Sequence, residues 1–389
     1  VASETPLLDE LEKGPWPSIV KEIKKTGYTG LLKLYELNYE DKMTHWTHGG
    51  MVGVPGYDAG VIGRVSDRRD ILADAHTIRF IQPAGWFYST KKLRKLVELW
   101  NKYGSGLMNF HGATGDLQVV GIPTENIEPF FDEAAKEHWD IGGSAGDFRT
   151  ASNCIGPARC EMACIDTNDI YHTLMTDEEI LNDMHRPRFP YKFKVKISGC
   201  PTDCVAGVPR ADFVIMGTWR DDIKIDQEEV RNYAKSGKVD VEYIVKNCPT
   251  NAMSWDGNEL KINNDECVRC MYCLQKMPKA LSPGDDRGAT ILVGGRARGR
   301  YGAFLAWTLI PFMKLEPPYT ELKELMYKLL DWWDENGRAK ERIGETIYRI
   351  GAGKFLHEVG LDPLPTMVKA PRNNPFWFYF PGEVQVDEE

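Results

Sequence analysis

The sequence predicts an α+β chain: a ferredoxin-like N-terminal half-domain, then a cysteine-bearing domain with a second ferredoxin domain inserted into it. Three observations carry this expectation. Between residues 76 and 137 the pattern runs strand, helix, strand, strand, helix, the order of a ferredoxin-like half. Residues 191–198 alternate strictly between polar and apolar side chains and run into Cys200. Eight of the nine cysteines fall into two sets of four, and the second set lies between polar stretches at Trp219–Glu229 and Asp285–Arg287.

The elements follow in order. Residues 18–25 carry a short helical signal, with Ser18 as N-cap and Ile19, Val20 and Ile23 set among Lys and Glu; Pro15 and Pro17 prevent an earlier start. Gly60-Val61-Ile62-Gly63 reads as a strand with tight bends, and His76–Ile81 as another. Ser89–Tyr103 reads as a helix: Ser89 or Thr90 caps it, Leu93, Leu96, Val97 and Trp100 form its apolar stripe, and Gly104 ends it. Leu107–Val120 predicts a strand pair about a turn at Gly112–Gly115, and Glu125–Glu137 a second helix. Residues 176–185 read as a short acidic helix capped by Thr176. In the strand 191–198, Lys192, Lys194 and Lys196 share one face and Phe193, Val195 and Ile197 the other. That lysine face is either a solvated edge or a cationic wall over an anion; its run into Cys200 favours the wall. Ala289–Val293 is a strand, followed by the Gly/Arg loop 294–300, where guanidinium forks could reach carboxylates or simply lie in solvent. Tyr319–Trp333 is an amphipathic helix whose role is packing. The expected domains are 1–146, then 147–217 with 291–389, and the insertion 218–290.

The cysteines carry the chemistry. The first set is Cys154-x5-Cys160 and, after 39 intervening residues, Cys200-x3-Cys204. The second is Cys248-Pro249 with Cys267-x2-Cys270-x2-Cys273. Four thiolates per set is the ligand count of a cubane iron–sulfur cluster, and the second set matches a ferredoxin run in which Met277-Pro278 stands where the fourth Cys-Pro would be. The competing readings are a zinc ribbon for the second set and a disulfide framework for the first. Cys164 is left over, a spare buried thiol. Two cluster sites in one chain imply electron transfer.

Composition narrows the rest. A chain of 389 residues has room for two or three domains, and its net charge of −9 gives no general affinity for nucleic acid. The first thirteen residues lack an apolar signal core, and no run of about 18 apolar residues exists to cross a bilayer. Free thiols kept for clusters imply a reducing cytoplasm.

The motifs together resemble a known family. Cys154-x5-Cys160 with Cys200-x3-Cys204 is similar to the sirohaem/iron–sulfur signature of the sulfite and nitrite reductases. Thr5–Pro17, Gly85–Thr90, His185-Arg186-Pro187, Gly199–Cys204, Gly217–Asp222 and Lys369–Pro375 resemble the alpha subunit of dissimilatory sulfite reductase, over nearly the whole chain. The connection between Lys25 and Leu31 looks shorter than in many alpha subunits.

The resemblance implies six-electron reduction of sulfite at sirohaem, with Cys204 bridging cluster iron and sirohaem iron. Arg79, Arg149, Lys192 and Lys194 match the family's basic quartet. Lys196, His111, Thr114, Arg210 and Arg296 are candidate contacts to the macrocycle. The quartet of one half faces the sirohaem whose cluster lies in the other half, so a homologous beta subunit is expected, in an assembly of two alpha and two beta chains. This chain's own pocket would hold sirohaem or iron-free sirohydrochlorin, occluded by an aromatic side chain; Trp86 and Trp100 are the candidates. A small sulfur carrier of the DsrC type is an expected partner, and the electron donor is open. The reverse-acting enzyme of a sulfur oxidiser and a nitrite-reducing relative share these residues. A non-catalytic electron-transfer scaffold is the alternative of a different class, and it has no use for four converging cations.

Overall fold

The computed structural model describes residues 3–14, 19–40, 51–53, 61–64, 76–111, 115–144, 146–186, 188–237, 239–299 and 301–364. Three helices open the chain: α1 (Pro6–Lys13), α2 (Ile19–Lys25) and α3 (Thr29–Glu40). Only α2 was expected, and its Ser18 cap lies outside the described residues. Pro6 fits the first turn of α1, where its missing N–H costs nothing. The Glu36 carboxylate on α3 accepts from the N–H groups of Leu7 at 2.7 Å and Leu8 at 2.9 Å, satisfying orphan donors of α1.

The first sheet is antiparallel, in the order β1 (Met51–Gly53), β2 (Val61–Arg64), β3 (His76–Ile81), β5 (Asp116–Ile122), β4 (Leu107–His111). Two helices cross over it, α4 (Thr90–Tyr103) and α5 (Thr124–Lys136). Ser89 caps α4 as the sequence predicts, its hydroxyl accepting from the N–H of Lys92 at 3.1 Å. The core joins Ile78, Phe80, Leu117 and Val119 of the strands to Leu96, Trp100 and Phe130 of the helices. Trp100 sits wholly inside it, donating to the Leu107 carbonyl and packing edge-on against Phe130 at 5.3 Å. Strand alternation therefore sends Ile78 and Phe80 into this core and leaves Arg79 on the other face. The turn residues 112–114, with Thr114, lie outside the described residues.

The second sheet begins at β6 (Ser152–Asn153). Helices α6 (Thr167–Met175) and α7 (Glu178–His185) follow. The α7 cap differs from expectation. Asp177 holds it, accepting from Glu179 and Ile180, while Thr176 closes α6 by donating to the His172 carbonyl. A carboxylate beside the helix dipole outcompetes a hydroxyl there. Next come β7 (Val195–Ser198) and β8 (Phe213–Trp219), parallel to one another and to β6. The regular strand is thus shorter than 191–198, with a single bridge at Phe193 upstream. It lies between β6 and β8, which removes the solvated-edge alternative for Lys196, only 3% exposed.

Between β8 and its antiparallel partner lies a long excursion: β9 (Lys224–Ile225), α8 (Gln227–Ser236), α9 (Val241–Lys246), the hairpin β10 (Met253–Trp255) and β11 (Leu260–Ile262), α10 (Tyr272–Lys276) and β12 (Leu281–Ser282). The chain returns as β13 (Arg287–Val293), with Arg287 directly opposite Trp219, and β14 (Trp307–Met313) completes the order β14-β13-β8-β7-β6. Helix α11 (Thr320–Asn336) buries Leu322, Met326, Leu329 and Trp333, as its periodicity predicts. From Ile347 the described residues form a separate unit with the end of α12 (Ile343–Ile350) and α13 (Ala352–Glu358). Among the described residues no helix is long and apolar enough to cross a membrane.

Phe130 is fully buried where α4, α5 and the sheet meet. Phe130→Ala is expected to cost about 3–5 kcal/mol through lost burial and the cavity left behind. Urea unfolding measures it; an unchanged midpoint would mean the helices do not seal this core.

Candidate active site

Four thiols from the first cysteine set line one cleft of about 800 Å³. Cys154 follows β6, Cys160 ends the turn after Gly156–Ala158, and Cys200 and Cys204 sit on the loop leaving β7. Backbone approach here is close. A Cβ on Gly217 would fall 2.1 Å from the Gly199 carbonyl oxygen, and one on Gly199 would meet the Cys154 sulfur at 3.3 Å. Gly199 donates its N–H to the Cys154 sulfur at 3.1 Å. Trp86 lines the same cleft, whereas Trp100 lies in the half-domain core.

The second set is gathered at the far end of the excursion. Cys248, Cys267, Cys270 and Cys273 line one tight space with Trp219, Met253 and Met271. The N–H of Ala252 reaches the Cys248 sulfur at 3.3 Å and that of Arg269 the Cys267 sulfur at 3.4 Å. Arg269 and Met271 adopt left-handed backbone, which curls the loop around its sulfurs. Amide donors of this kind stabilise thiolate charge and tune a cluster's potential.

All nine cysteines are free, so the disulfide alternative is not what the fold contains. Among the described residues, no three His, Cys, Asp or Glu side chains are grouped closely enough to hold a single metal ion. Thiols spread around a cleft with amides aimed at their sulfurs fit a polynuclear centre. Cys164 stands apart: its thiol donates to the Met162 carbonyl at 3.7 Å, and burial pushes it up to about 12.

The basic residues form a second constellation. Arg79 comes from β3, Arg149 from the turn before β6, and Lys192 and Lys194 from the extended lead into β7. Burial lowers Arg79 to about 10, and Arg149 adds to it. Burial, then Arg149 and Arg342, bring Lys192 down to about 7. Lys194 is pushed well below its ordinary value by burial, with Arg342, Lys192 and Arg149 adding. His111, at the end of β4, feels all four cations; burial first and then their charge hold it near 4, a neutral imidazole. The fold thus brings Arg79, Arg149, Lys192, Lys194 and His111 to one place.

Three buried acidic side chains lie among these like charges. Asp116 faces Arg79 at 3.5 Å, and Asp147 lies 3.0 Å from the Arg149 Nε. Burial raises Asp147 to about 8 although Arg149 opposes it. Asp212 takes a two-pronged contact from Arg342, at 2.6 Å and 2.5 Å, and accepts from the Lys194 N–H at 2.8 Å. Sequence reasoning missed Asp116, Asp147, Asp212 and Arg342. For Asp212 the signal was faint, a lone acid just before an apolar strand. Arg342 sits in the charged stretch 338–345, which reads as solvated surface.

Lys196 belongs to a different neighbourhood. Its ammonium donates to the Ser152 hydroxyl at 3.2 Å, and burial, then Arg210, lower it to about 8. Arg296 departs from expectation. It is wholly buried, paired with Glu345 and stacked 4.3 Å over Phe304, so its guanidinium supports the loop and presents no surface to a ligand.

Residues 144–365 match the nitrite and sulphite reductase 4Fe-4S domain, and residues 72–137 the nitrite/sulfite reductase ferredoxin-like half domain. The dissimilatory-type sulfite reductase alpha subunit of Nitratidesulfovibrio vulgaris is 43% identical over 417 aligned positions, covering 98% of this chain and 95% of that protein. The alpha subunit of Allochromatium vinosum is 44% identical, covering 96% and 93%. The beta subunit of Archaeoglobus fulgidus is 23% identical over 82% of this chain and 87% of that protein. A crystal structure of dissimilatory sulfite reductase I superimposes with a TM-score of 0.83 at 42% identity, covering 98% of this chain and 96% of that one. The chain belongs to the family of dissimilatory-type sulfite reductase alpha subunits.

Asp212→Asn keeps the shape but leaves Arg342 buried beside a neutral amide. The expected loss is about 3–5 kcal/mol, the usual result of breaking a buried pair from one side. Chemical denaturation measures it, and a loss within error would show that solvent reaches the pair.

Proposed function

We propose that this chain is the catalytic alpha subunit of a sulfite reductase that carries sulfite to the sulfide level in six electrons. The convergence of Arg79, Arg149, Lys192 and Lys194 on His111 carries this reading, because an electron carrier has no need of four converging cations. Cys154, Cys160, Cys200 and Cys204 would hold one [4Fe-4S] cluster, with Cys204 shared with sirohaem iron. Cys248, Cys267, Cys270 and Cys273 would hold a second. The donor sets fit these groups: four thiols each, amides aimed at sulfur, and Lys196 with Arg210 as cations for a macrocycle's carboxylates. Thr114 is assigned to the same macrocycle face by resemblance. When bound, sirohaem supplies an iron that takes sulfite by its sulfur and delivers electrons to it.

The protein's own part is electrostatic and protic. Arg79 and Arg149 present fixed forks to the sulfite oxygens, already oriented by Asp116 and Asp147. Lys192, brought to about 7, is poised between charged and neutral and can give up a proton as an S–O bond breaks, with Lys194 beside it. His111, neutral, adds a hydrogen bond without adding charge. The quartet serves the cofactor pocket shared with a homologous beta subunit, and Trp86 screens this chain's own pocket, which holds sirohaem or sirohydrochlorin. The product leaves as sulfide or on a small DsrC-type carrier.

Arg79→Ala or Lys194→Ala in the assembled enzyme is expected to leave iron content intact and cut sulfite turnover about a hundredfold, the usual effect of removing one preorganised charge. Lys196→Ala should be milder or disturb macrocycle binding. Wild-type turnover at limiting sulfite in both quartet variants would favour the electron-transfer scaffold.

Sulfite binding should also take up protons. Burial first, then Arg149 and Arg342, depress Lys192 while Asp212 opposes them, leaving it at about 7. A bound anion restores the charged form, so affinity falls as pH rises above about 7. Calorimetry in buffers of different ionisation enthalpy gives the proton count; a count of zero above that pH would remove Lys192 from the site.

A further inference from the structure

The two four-thiol sites are built against one wall. Met162, Cys164 and Cys200 of the upstream site share a single apolar core with Trp219, Met271 and Cys273 around the downstream one. Trp219 and Met271 are each 1% exposed, so the wall is dry. Three polar ties cross or brace it. The Gln275 amide, two residues past Cys273, donates to the Thr202 hydroxyl at 2.7 Å, and Thr202 lies midway between Cys200 and Cys204. Arg269, between Cys267 and Cys270, donates to the Arg220 carbonyl at 2.9 Å and lies 5.9 Å over the Trp219 ring. Arg287, where the chain returns from the excursion, donates to the Ala163 carbonyl at 3.3 Å in the turn between Cys160 and Cys164.

These ties have a common geometry. Trp219 and Arg287 are register partners at the two strand ends from which the excursion leaves and returns. The root of the insertion is therefore pinned by Arg287 and Arg269, and its tip is clasped to the upstream cysteine loop by Gln275. A domain that swung out to collect electrons would have no such clasp.

We propose that the insertion is a fixed relay, held by Gln275, Thr202 and Arg269 as positioning residues that set the separation between the two four-thiol sites. The proposal rests on the reading that both sites hold iron–sulfur centres. One electron crosses the wall per event, taken from the downstream centre and given to the upstream one; no bond forms or breaks, and dithionite supplies the electron in the experiment.

The test compares assembled wild-type enzyme with the double variant Arg269→Ala/Gln275→Ala. Iron per chain, low-temperature electron paramagnetic resonance of the fully reduced protein, and stopped-flow reduction by dithionite are measured. Iron content should not change. The magnetic interaction between the two reduced centres should weaken, and reduction of the upstream centre should slow, because electron transfer falls steeply with the separation that these ties set. Reduction of the downstream centre should keep its rate. Thr202→Ser, which retains the accepting hydroxyl, should behave as wild type, and Thr202→Val should slow transfer. If the double variant loses downstream iron, Gln275→Ala alone, at an exposed position, decides on the same two readouts. Unaltered interaction and rate in an iron-replete variant would overturn the fixed relay. A wild-type enzyme lacking one of the centres would instead overturn the assignment on which it rests.

Discussion

Like charges packed out of water set the terms for this molecule. Arg79, Arg149, Lys192, Lys194 and Arg342 repel one another, and burial penalises each of them. The cost is visible in the lowered lysines, Lys192 at about 7 and Lys194 well below its ordinary value. Three carboxylates make the cluster tolerable without neutralising it. Asp116 and Asp147 are spent on the two nearer arginines, and Asp212 on Arg342 and the Lys194 backbone. What is left is a surplus of positive charge. In the proposed function, a small anion would supply the balancing charge.

The same constraint explains the architecture around it. The cations come from two sheets. β3 contributes Arg79 by strand alternation, with its apolar neighbours Ile78 and Phe80 buried under α4 and α5. The lead into β7 contributes the lysines, and Asp212, just ahead of β8, fixes that lead through paired backbone contacts with Lys194. Neither sheet alone could assemble the nest. Cys200 and Cys204 emerge from the same β7, so anion site and thiol site are coupled through one strand.

Much of this was legible in the residues. Cysteine spacing announces both thiol sets because ligand chemistry tolerates few alternatives, and strict alternation announced the lysine face. Helix α4 was readable to the residue, since Ser89 and Gly104 punctuate it by local rules. The failures were of another kind. Asp177 replaced Thr176 as a cap because two helices meet there, which periodicity cannot separate. Helices α1 and α3 escaped because their stability comes from each other, through Glu36. The counter-charges Asp116, Asp147 and Asp212 and the fifth cation Arg342 were invisible, since their meaning depends on which cation the fold sets beside each, across 130 residues of chain for Asp212 and Arg342. Arg296 misled for the same reason: a Gly/Arg loop reads as a ligand loop until Glu345 is seen beneath it.

The central claim is that the anion nest is where sulfite is held. The most direct measurement is a crystal structure of the assembled enzyme soaked with sulfite under non-turnover conditions. The account predicts sulfite oxygens within hydrogen-bond distance of Arg79, Arg149, Lys192 and Lys194. Sulfite bound at the cofactor with those four side chains turned away, or still engaged only with Asp116, Asp147 and Asp212, would contradict it.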